Sequence, residues 1–218
     1  WRAKARSCWD GAAFRPTTGG AAPRRTARQP GRTTVSLAGI LKTVVTALEA
    51  NDVPFMLTGS VAAAAHGAGR ATMDVDFVIQ ATRAQLESFV KDLDGPAMYV
   101  SREAALEALA AESMFNVVET ETGWKADLIP CKARPFSQAE FARRQPIELD
   151  GLHLWVASVE DVILSKLEWA KLGSSARQIE DVAALLRVAA EDIDLAYLDR
   201  WIDELGLRPQ WLAAHAAG

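Results

Sequence analysis

The stretch "LTGSVAAAAHGAGRATMDVDFVI" at residues 57–79 decides the fold, because a turn and two acids interrupt its apolar segments. Gly59 and Ser60 stand where a short apolar strand gives way to a helix. The strand "DVDFVI" that follows carries Asp74 and Asp76. Side chains alternate along a strand, so both carboxylates project from one face. Two like charges at that separation repel unless a cation lies between them.

This arrangement of residue types suits the binding of a metal–nucleotide complex. Mg²⁺ takes oxygen ligands and typically binds through one or two carboxylates together with substrate phosphates. Gly59 lets the backbone approach a phosphate, and the free N–H groups of the following helix attract anions. Thirteen residues, 61–73, separate Ser60 from Asp74, enough for one short helix and a return loop. The stretch therefore predicts a strand-turn-helix-strand unit that holds Mg²⁺, or Mn²⁺, against a nucleoside triphosphate.

Each half of the motif also has a purely structural explanation. A Gly-Ser pair after a strand is usually just a turn. A strand with two acids on one face can be an edge strand with a solvated side. The order and spacing of the two halves together are more specific than either half.

Composition sets the class of protein. The chain has 218 residues, of which 50% are hydrophobic and 24% charged, so we expect a globular protein of one domain or one and a half. No apolar stretch reaches the roughly 18 residues that a membrane span needs, and no membrane partner is expected. Cys8 and Cys131 are the only cysteines, which disfavours a disulfide framework or a thiolate zinc site and favours a cytoplasmic location.

The net charge of −4 conceals a basic N-terminal segment. Residues 1–34 contain eight Lys and Arg against Asp10 alone, a charge of +7, which leaves −11 for the remaining residues. This segment has no apolar periodicity, and we predict a disordered basic leader. We interpret it as upstream sequence translated in frame, with a true start near Val35. The alternative is a functional basic arm that binds nucleic acid.

The remaining chain predicts an α+β fold, with a small mixed sheet flanked by helices and a helical C-terminal part. We expect the core over residues 35–157 and the helical part over residues 158–218, where Ser158 and Asp161 would form a capping box. Thr82 is a candidate N-cap. The other predicted elements are helices over 38–52, 60–67, 82–93 and 102–112, strands over 53–59 and 74–80, a hairpin joining 114–120 to 124–131, and a hairpin over 147–157 turning at Asp150-Gly151.

The motif of an apolar residue before Gly-Ser, thirteen residues, and then Asp-apolar-Asp-apolar resembles the signature of the DNA polymerase β-like nucleotidyltransferase superfamily. Within it, "MLTGSVAAAAHGAGRATMDVDFVI" is similar to the branch of AbiEii-type toxins of type IV toxin–antitoxin systems. The resemblance extends over about residues 38–190. It implies a nucleotidyltransferase core over residues 35–157. It also implies transfer of a nucleotide from a nucleoside triphosphate to RNA or protein, and an antitoxin protein as a partner.

The resemblance also implies further functional residues. Members often have a third carboxylate on a later strand, and Asp127 in "WKADLIP" matches it, so that Asp74, Asp76 and Asp127 would be the metal ligands. Otherwise Asp127 is a solvent-facing hairpin charge. The branch has a Lys-bearing helix followed by an Asp-bearing helix, which Lys166 and Asp181 match. Lys166 would neutralise triphosphate charge or orient Asp181.

Two other features have competing interpretations. The i,i+4 spacing of Arg177 and Asp181 also fits a plain surface salt bridge. In the loop before the acidic strand, Arg70 and Thr72 join Gly59 and Ser60 as candidate substrate-binding residues, because a guanidinium binds phosphate well. The alternative for Arg70 is solvation.

Two further side-chain groups receive mainly structural interpretations. We expect His66 to pack at a helix end, satisfied by the backbone. For Arg143 and Arg144 we expect a solvated face rather than a phosphate-contacting patch.

The implied reaction is in-line attack at the α-phosphate, with Asp127 binding a second metal ion or accepting the acceptor's proton. Two alternatives remain open: a non-catalytic module of the same fold that binds a nucleotide or a partner, and a small-molecule adenylyltransferase of the antibiotic-modifying kind.

Overall fold

One seven-stranded mixed sheet and nine helices make up the part of the chain that the computed structural model describes, residues 37–149, 151–189 and 193–218. The predicted leader lies outside the described residues, as does Asp150 of the second predicted turn. The α+β prediction is confirmed. The helices are α1 (Leu37–Ala50), α2 (Gly59–Ala65), α3 (Arg83–Leu93), α4 (Arg102–Ala111), α5 (Pro135–Ala142), α6 (Val159–Gly173), α7 (Ala176–Ala189), α8 (Leu195–Glu204) and α9 (Arg208–Ala216). The strands are β1 (Phe55–Thr58), β2 (Asp74–Ile79), β3 (Met98–Val100), β4 (Phe115–Glu119), β5 (Lys125–Pro130), β6 (Gln145–Leu149) and β7 (Leu152–Val156).

Strand β2, which carries the two aspartates, lies in the middle of the sheet. The strand order is β3-β4-β5-β2-β1-β7-β6. Strand β1 pairs with β2 antiparallel on one side, and β5 pairs with β2 parallel on the other. The edge-strand interpretation of "DVDFVI" is therefore wrong.

The two faces of β2 have opposite environments. Val75, Phe77 and Ile79 are fully buried, and helix α1 packs against β2 and β5. Burial of each such side chain contributes about 1.5–3 kcal/mol to folding. Asp74 and Asp76 project from the other face and are only partly buried. The alternation of burial thus fixes which face of the sheet carries the acids.

Local signals predicted most element ends correctly. Thr82 caps α3 in a capping box with Gln85. Both predicted hairpins are present, as β4–β5 and β6–β7. Ser158 caps α6, but its box with Asp161 is only half formed: the Asp161 N–H donates to Ser158 Oγ, while the Asp161 carboxylate accepts from the hydroxyls of Ser158 and Tyr197, each at 2.7 Å. Every helix in the described part of the chain is too short or too polar to cross a membrane.

The arginines that follow α5, Arg143 and Arg144, are half-buried against neighbouring side chains, so the expectation of a solvated face is wrong. The Arg143 guanidinium lies 3.8 Å from the Tyr197 ring centroid and donates to Glu160 at 3.1 Å. Arg144 donates to the carbonyl of Phe141 at 2.7 Å. Arg143 therefore ties the end of α5 to α6 and α8, whereas Arg144 packs on the rings of Phe141 and Trp155.

A buried carboxyl group, Glu140, faces the same packing layer. It is 6% exposed, and Ser165 Oγ donates to its Oε1 at 3.1 Å. Burial, then the neighbouring charge of Asp161, raises the pKa of Glu140 from 4.5 to about 8. The folded protein therefore keeps this group protonated at neutral pH, where the unfolded chain would ionise it.

The titration of Glu140 gives a pH-dependent stability. Its folded pKa lies above its unfolded pKa, so its contribution is complete below pH 4.5 and is lost as pH rises to about 8. In wild type, the ionisation of Glu140 should lower the free energy of unfolding by up to about 1.4 kcal/mol per pH unit within that window. We expect Glu140→Gln to abolish this pH dependence. Urea unfolding of wild type, Glu140→Gln and the surface control Glu107→Gln between these pH values measures it. If the free energies of unfolding of wild type and Glu140→Gln change with pH in parallel, Glu140 does not have a raised pKa in the folded protein.

Candidate active site

The carboxylate of Asp76 lies directly against the backbone of Gly59. Gly59 has a φ of +63°, and a Cβ added there would stand 1.9 Å from Asp76 Oδ2. Strand pairing brings them together, because Thr58 lies opposite Asp76 in the β1–β2 register. A glycine is therefore required here both by backbone conformation and by space. Ser60 is buried in the first turn of α2, beside this contact.

The third predicted carboxylate joins the other two on the same sheet face. Asp127 lies opposite Asp76 in the parallel β2–β5 register, and Lys125 lies opposite Asp74. With strands about 4.8 Å apart and a rise of about 3.3 Å per residue, the Cα atoms of Asp74 and Asp127 are roughly 8 Å apart. Asp127 is only 7% exposed, so its interpretation as a solvent-facing hairpin charge is wrong.

Neighbouring polar side chains hold two of the carboxylates. Thr72 Oγ1 donates to Asp74 Oδ1, and Asn116 Nδ2 donates to Asp127 Oδ1. Lys125 Nζ is 3.9 Å from the same Asp127 oxygen. The sequence analysis did not identify Asn116, although counting back from the predicted hairpin turn places it opposite Asp127.

Repulsion among the three carboxylates of Asp74, Asp76 and Asp127 affects the pKa of Asp76. Burial, then the negative charges of Asp74 and Asp127, raises the pKa of Asp76 to about 6. The positive charges of Lys166 and Lys125 act in the opposite direction. A divalent cation among these oxygens would relieve the repulsion, and an all-oxygen donor set fits Mg²⁺. Within residues 37–149, 151–189 and 193–218, no three acidic, His or Cys side chains are already placed together so as to hold a metal ion.

A second cluster of charged side chains joins α6, α7 and the loop before β2. Lys166 is 4% exposed, and its Nζ donates to Asp181 Oδ2 at 2.7 Å and to Gln178 Oε1 at 3.3 Å. Arg70 Nε donates to the same Asp181 oxygen at 3.1 Å. Asp181 therefore pairs with Lys166 and Arg70 rather than in the surface salt bridge with Arg177, and Arg70 is ion-paired rather than simply solvated. Gln178 is a further residue that the sequence analysis missed.

These ion pairs control the charge of Asp181. Burial alone would raise the pKa of Asp181, but the hydrogen bond and charge of Lys166, followed by those of Arg70, lower it below its usual value. Asp181 therefore stays ionised and keeps Lys166 in place. Because the charge of Lys166 also acts on Asp76, this cluster adjoins the carboxylates.

His66 has the structural role expected from the sequence. Its Nε2 is 2.8 Å from the carbonyl oxygen of Ala157. Burial lowers the pKa of His66, against the opposing effect of that hydrogen bond. The imidazole thus connects the end of α2 to the residue after β7.

Comparisons with known proteins support the nucleotidyltransferase fold. The chain matches no protein-family model and no curated protein sequence. The solution structure of the antibiotic-resistance factor ANT(2'')-Ia aligns with 81% of this chain and 95% of its own, at 16% identity and a TM-score of 0.50. A crystal structure of ANT(2'')-Ia in complex with adenylyl-2''-tobramycin covers 79% of this chain and 97% of its own, with the same identity and TM-score. At this identity the likeness establishes the fold, while the AbiEii-type branch stays a prediction.

The contact between Gly59 and Asp76 can be isolated by substitution. Gly123 also has a positive φ, +77°, but no atom lies within 4 Å of a Cβ added there. We expect Gly123→Ala to cost about 1–2 kcal/mol of stability through backbone strain alone. Gly59→Ala should cost about 2–4 kcal/mol, because it also displaces Asp76. In an Asp76→Ala background the cost of Gly59→Ala should fall to that of Gly123→Ala. Equal costs in both backgrounds, measured by urea unfolding, would contradict the contact.

The Lys166–Asp181 pair predicts a second stability difference. Asp181→Asn leaves a buried lysine without a carboxylate partner, and we expect a loss of about 3–5 kcal/mol. Adding Lys166→Met should recover much of it, because the unpaired charge is then gone. The control Arg177→Ala, on the same helix, should change stability by no more than about 0.5 kcal/mol. If the double variant Lys166→Met/Asp181→Asn is as unstable as Asp181→Asn alone, the unpaired charge of Lys166 is not the cause of the destabilisation.

Proposed function

We propose that this protein is a metal-dependent nucleotidyltransferase that moves a nucleotide from a nucleoside triphosphate onto a hydroxyl group of an acceptor. The observation that carries the proposal is the placement of Asp76. Its carboxylate lies against the Gly59 turn and opposite Asp127, so a candidate phosphate site and a candidate metal site adjoin. The fold, shared with nucleotidyltransferases of known structure, agrees with this function.

We assign metal binding to Asp74, Asp76 and Asp127, whose oxygens suit Mg²⁺, with Mn²⁺ as an alternative. When bound, the ion supplies neutralisation of triphosphate charge and polarisation of the α-phosphate. The turn at Gly59 and Ser60 receives the phosphates, because the first N–H groups of α2 have no partner within the helix and attract anions. Thr72 and Asn116 hold the carboxylates in orientation.

Lys166 supplies positive charge next to the carboxylates, and Asp181 orients it. Arg70, bound to the same Asp181 oxygen, is the second cation available to the triphosphate. In the reaction, the acceptor oxygen forms a bond to the α-phosphorus while the bond to pyrophosphate breaks in line. The hydroxyl proton passes to Asp127. The protein mainly positions groups and balances charge, so no covalent enzyme intermediate is needed.

The sequence resemblance extends this proposal to a biological role. We propose a toxin of a toxin–antitoxin pair, with RNA or protein as acceptor and an antitoxin protein as partner. The nucleotidyltransferase core would be residues 35–157, and the helical part, residues 158–218, would supply Lys166 and Asp181. The second candidate function is adenylylation of a small molecule of the antibiotic type, which the fold shared with ANT(2'')-Ia favours.

Replacement of Asp76 by Asn tests the proposed function. The neutral amide cannot supply the missing metal charge, so we expect loss of Mg²⁺-dependent nucleotide binding and of nucleotide transfer. Folding should be unchanged or slightly better, because one repelling charge is removed. Calorimetry with each nucleoside triphosphate and Mg²⁺ measures binding without knowledge of the acceptor. Radiolabel transfer to total RNA, lysate protein or tobramycin measures the reaction.

The matched control for this test is Glu107→Gln, which removes an exposed carboxylate from α4. It should bind nucleotides and transfer label as wild type does. Equal Mg²⁺-dependent binding and labelling by wild type and Asp76→Asn would overturn the proposed function.

A further inference from the structure

The hydroxyl group of Thr58 is a buried polar group that forms no hydrogen bond. Thr58 is the last residue of β1 and is 7% exposed, and its Oγ1 is shielded from solvent without a partner in the described part of the chain. A buried hydroxyl without a hydrogen bond keeps the cost of its lost hydration. Valine has almost the same shape and would occupy this strand position without that cost, so the hydroxyl calls for an explanation.

Helix capping, the usual role of a threonine at such a place, does not explain the hydroxyl. Thr58 stands at the N-cap position of α2, yet its side chain accepts no hydrogen bond from the N–H groups of that helix. Strand pairing does not use the hydroxyl either, because the hydrogen bonds between strands join backbone groups. The hydroxyl is therefore available to a neighbouring side chain.

The residue directly across from Thr58 is Asp76. The two lie opposite each other in the antiparallel β1–β2 register, so both side chains project from the sheet face that carries the carboxylates, with Cβ atoms about 5 Å apart. The Asp76 carboxylate is turned towards Gly59, and no donor in the described part of the chain forms a hydrogen bond with it. A donor without an acceptor thus faces an acceptor without a donor.

A neighbouring pair in the same sheet shows what such a donor does. Asn116 lies opposite Asp127 in the antiparallel β4–β5 register, and its Nδ2 donates to Asp127 Oδ1. Thr58 has the same position relative to Asp76, directly opposite on the adjacent antiparallel strand. A neutral hydroxyl suits this position better than a cation, because it can orient a carboxylate without competing with a metal ion for the negative charge.

We propose that Thr58 is a positioning residue whose hydroxyl donates a hydrogen bond to the Asp76 carboxylate when that carboxylate binds a metal ion. The bond forms by rotation of the Asp76 side chain from the Gly59 backbone towards Thr58. It leaves the second carboxylate oxygen for the ion and fixes its direction, as hydrogen bonds to metal ligands do in general. This inference rests on the proposed function and adds a residue that touches neither the ion nor the nucleotide.

Calorimetric titration of the protein with Mn²⁺ alone tests the inference. Thr58→Val removes the hydroxyl and keeps the shape, and we expect it to raise the Kd for Mn²⁺ about tenfold, as loss of a hydrogen bond to a charged group does. Thr58→Ser, which retains a hydroxyl, should stay within about threefold of wild type. The rise in melting temperature on addition of Mn²⁺ should be smaller for Thr58→Val than for wild type, because the variant binds the ion more weakly.

The stability of the metal-free protein separates a positioning role from a structural one. The hydroxyl has no partner there, so Thr58→Val should unfold at the same urea concentration as wild type or at a higher one. The matched control is Ser137→Ala, which removes a hydroxyl from a residue that is also 7% exposed and that accepts from Arg134 Nε at 3.0 Å. This control should lower the urea midpoint and leave the Kd for Mn²⁺ unchanged.

The same measurements distinguish failure of this inference from failure of the proposed function. The positioning role is wrong if wild type does not bind Mn²⁺ alone, if Thr58→Val binds it as tightly as wild type, or if Thr58→Val destabilises the metal-free protein. The proposed function would then still stand on the loss of nucleotide binding in Asp76→Asn. Absence of Mg²⁺-dependent nucleotide binding by wild type would instead overturn the proposed function and this inference with it.

Discussion

The close approach of the Asp76 carboxylate to the backbone of Gly59 is the contact on which the rest of the site depends. It requires a residue without a Cβ at the end of β1, and it requires β2 to pair with β1 in one register. That register, continued through β2 to β5, brings Asp127 beside Asp76. A slip of one residue would turn Asp76 to the apolar face, so the packing of Phe77 on the other side also maintains the site.

Charge balance is the second constraint. Burial and the negative charges of Asp74 and Asp127 disfavour the ionised form of Asp76, and the positive charges of Lys166 and Lys125 offset only part of this effect, so its pKa is raised. A folded protein tolerates such a cluster at a cost in stability, and functional sites are where strongly shifted carboxyl groups concentrate. Charge balance also accounts for the burial of Lys166 with Asp181. The ion pair keeps a cation next to the cluster instead of letting it extend into solvent.

Short-range patterns in the sequence predicted most of the fold. Strand β2 alternates apolar and polar residues, α3 begins at a capping box, and the β4–β5 turn contains Gly123, which has a positive φ of +77°. Two elements were missed for physical reasons. Strand β3 has three residues, too few to show a period, and it forms because β4 pairs with it. In α5 the buried residues include Glu140, so its buried face does not look apolar in sequence.

The predicted site residues divide in the same way. Asp74, Asp76, Gly59 and Ser60 lie within one short stretch, where spacing alone relates them. Contacts between distant residues needed coordinates: Arg70 reaches Asp181 across 111 positions. The partners of Arg143 on α6 and α8 are also distant in sequence and could not be predicted from it. For that reason the charge of Arg143 suggested an exposed side chain. Asn116 is an intermediate case. Its position opposite Asp127 follows from the β4–β5 register, which can be predicted only once the position of the hairpin turn is known.

The most direct test of the metal-site assignment is crystallography of the protein with Mn²⁺ and a non-hydrolysable nucleoside triphosphate analogue. The anomalous signal of Mn²⁺ locates the ion independently of the surrounding density. We expect an anomalous peak within coordination distance of the carboxylates of Asp74 and Asp76, with the phosphates of the analogue against Gly59 and Ser60. A peak away from both aspartates, or an analogue bound elsewhere on the protein, would contradict the metal-site assignment.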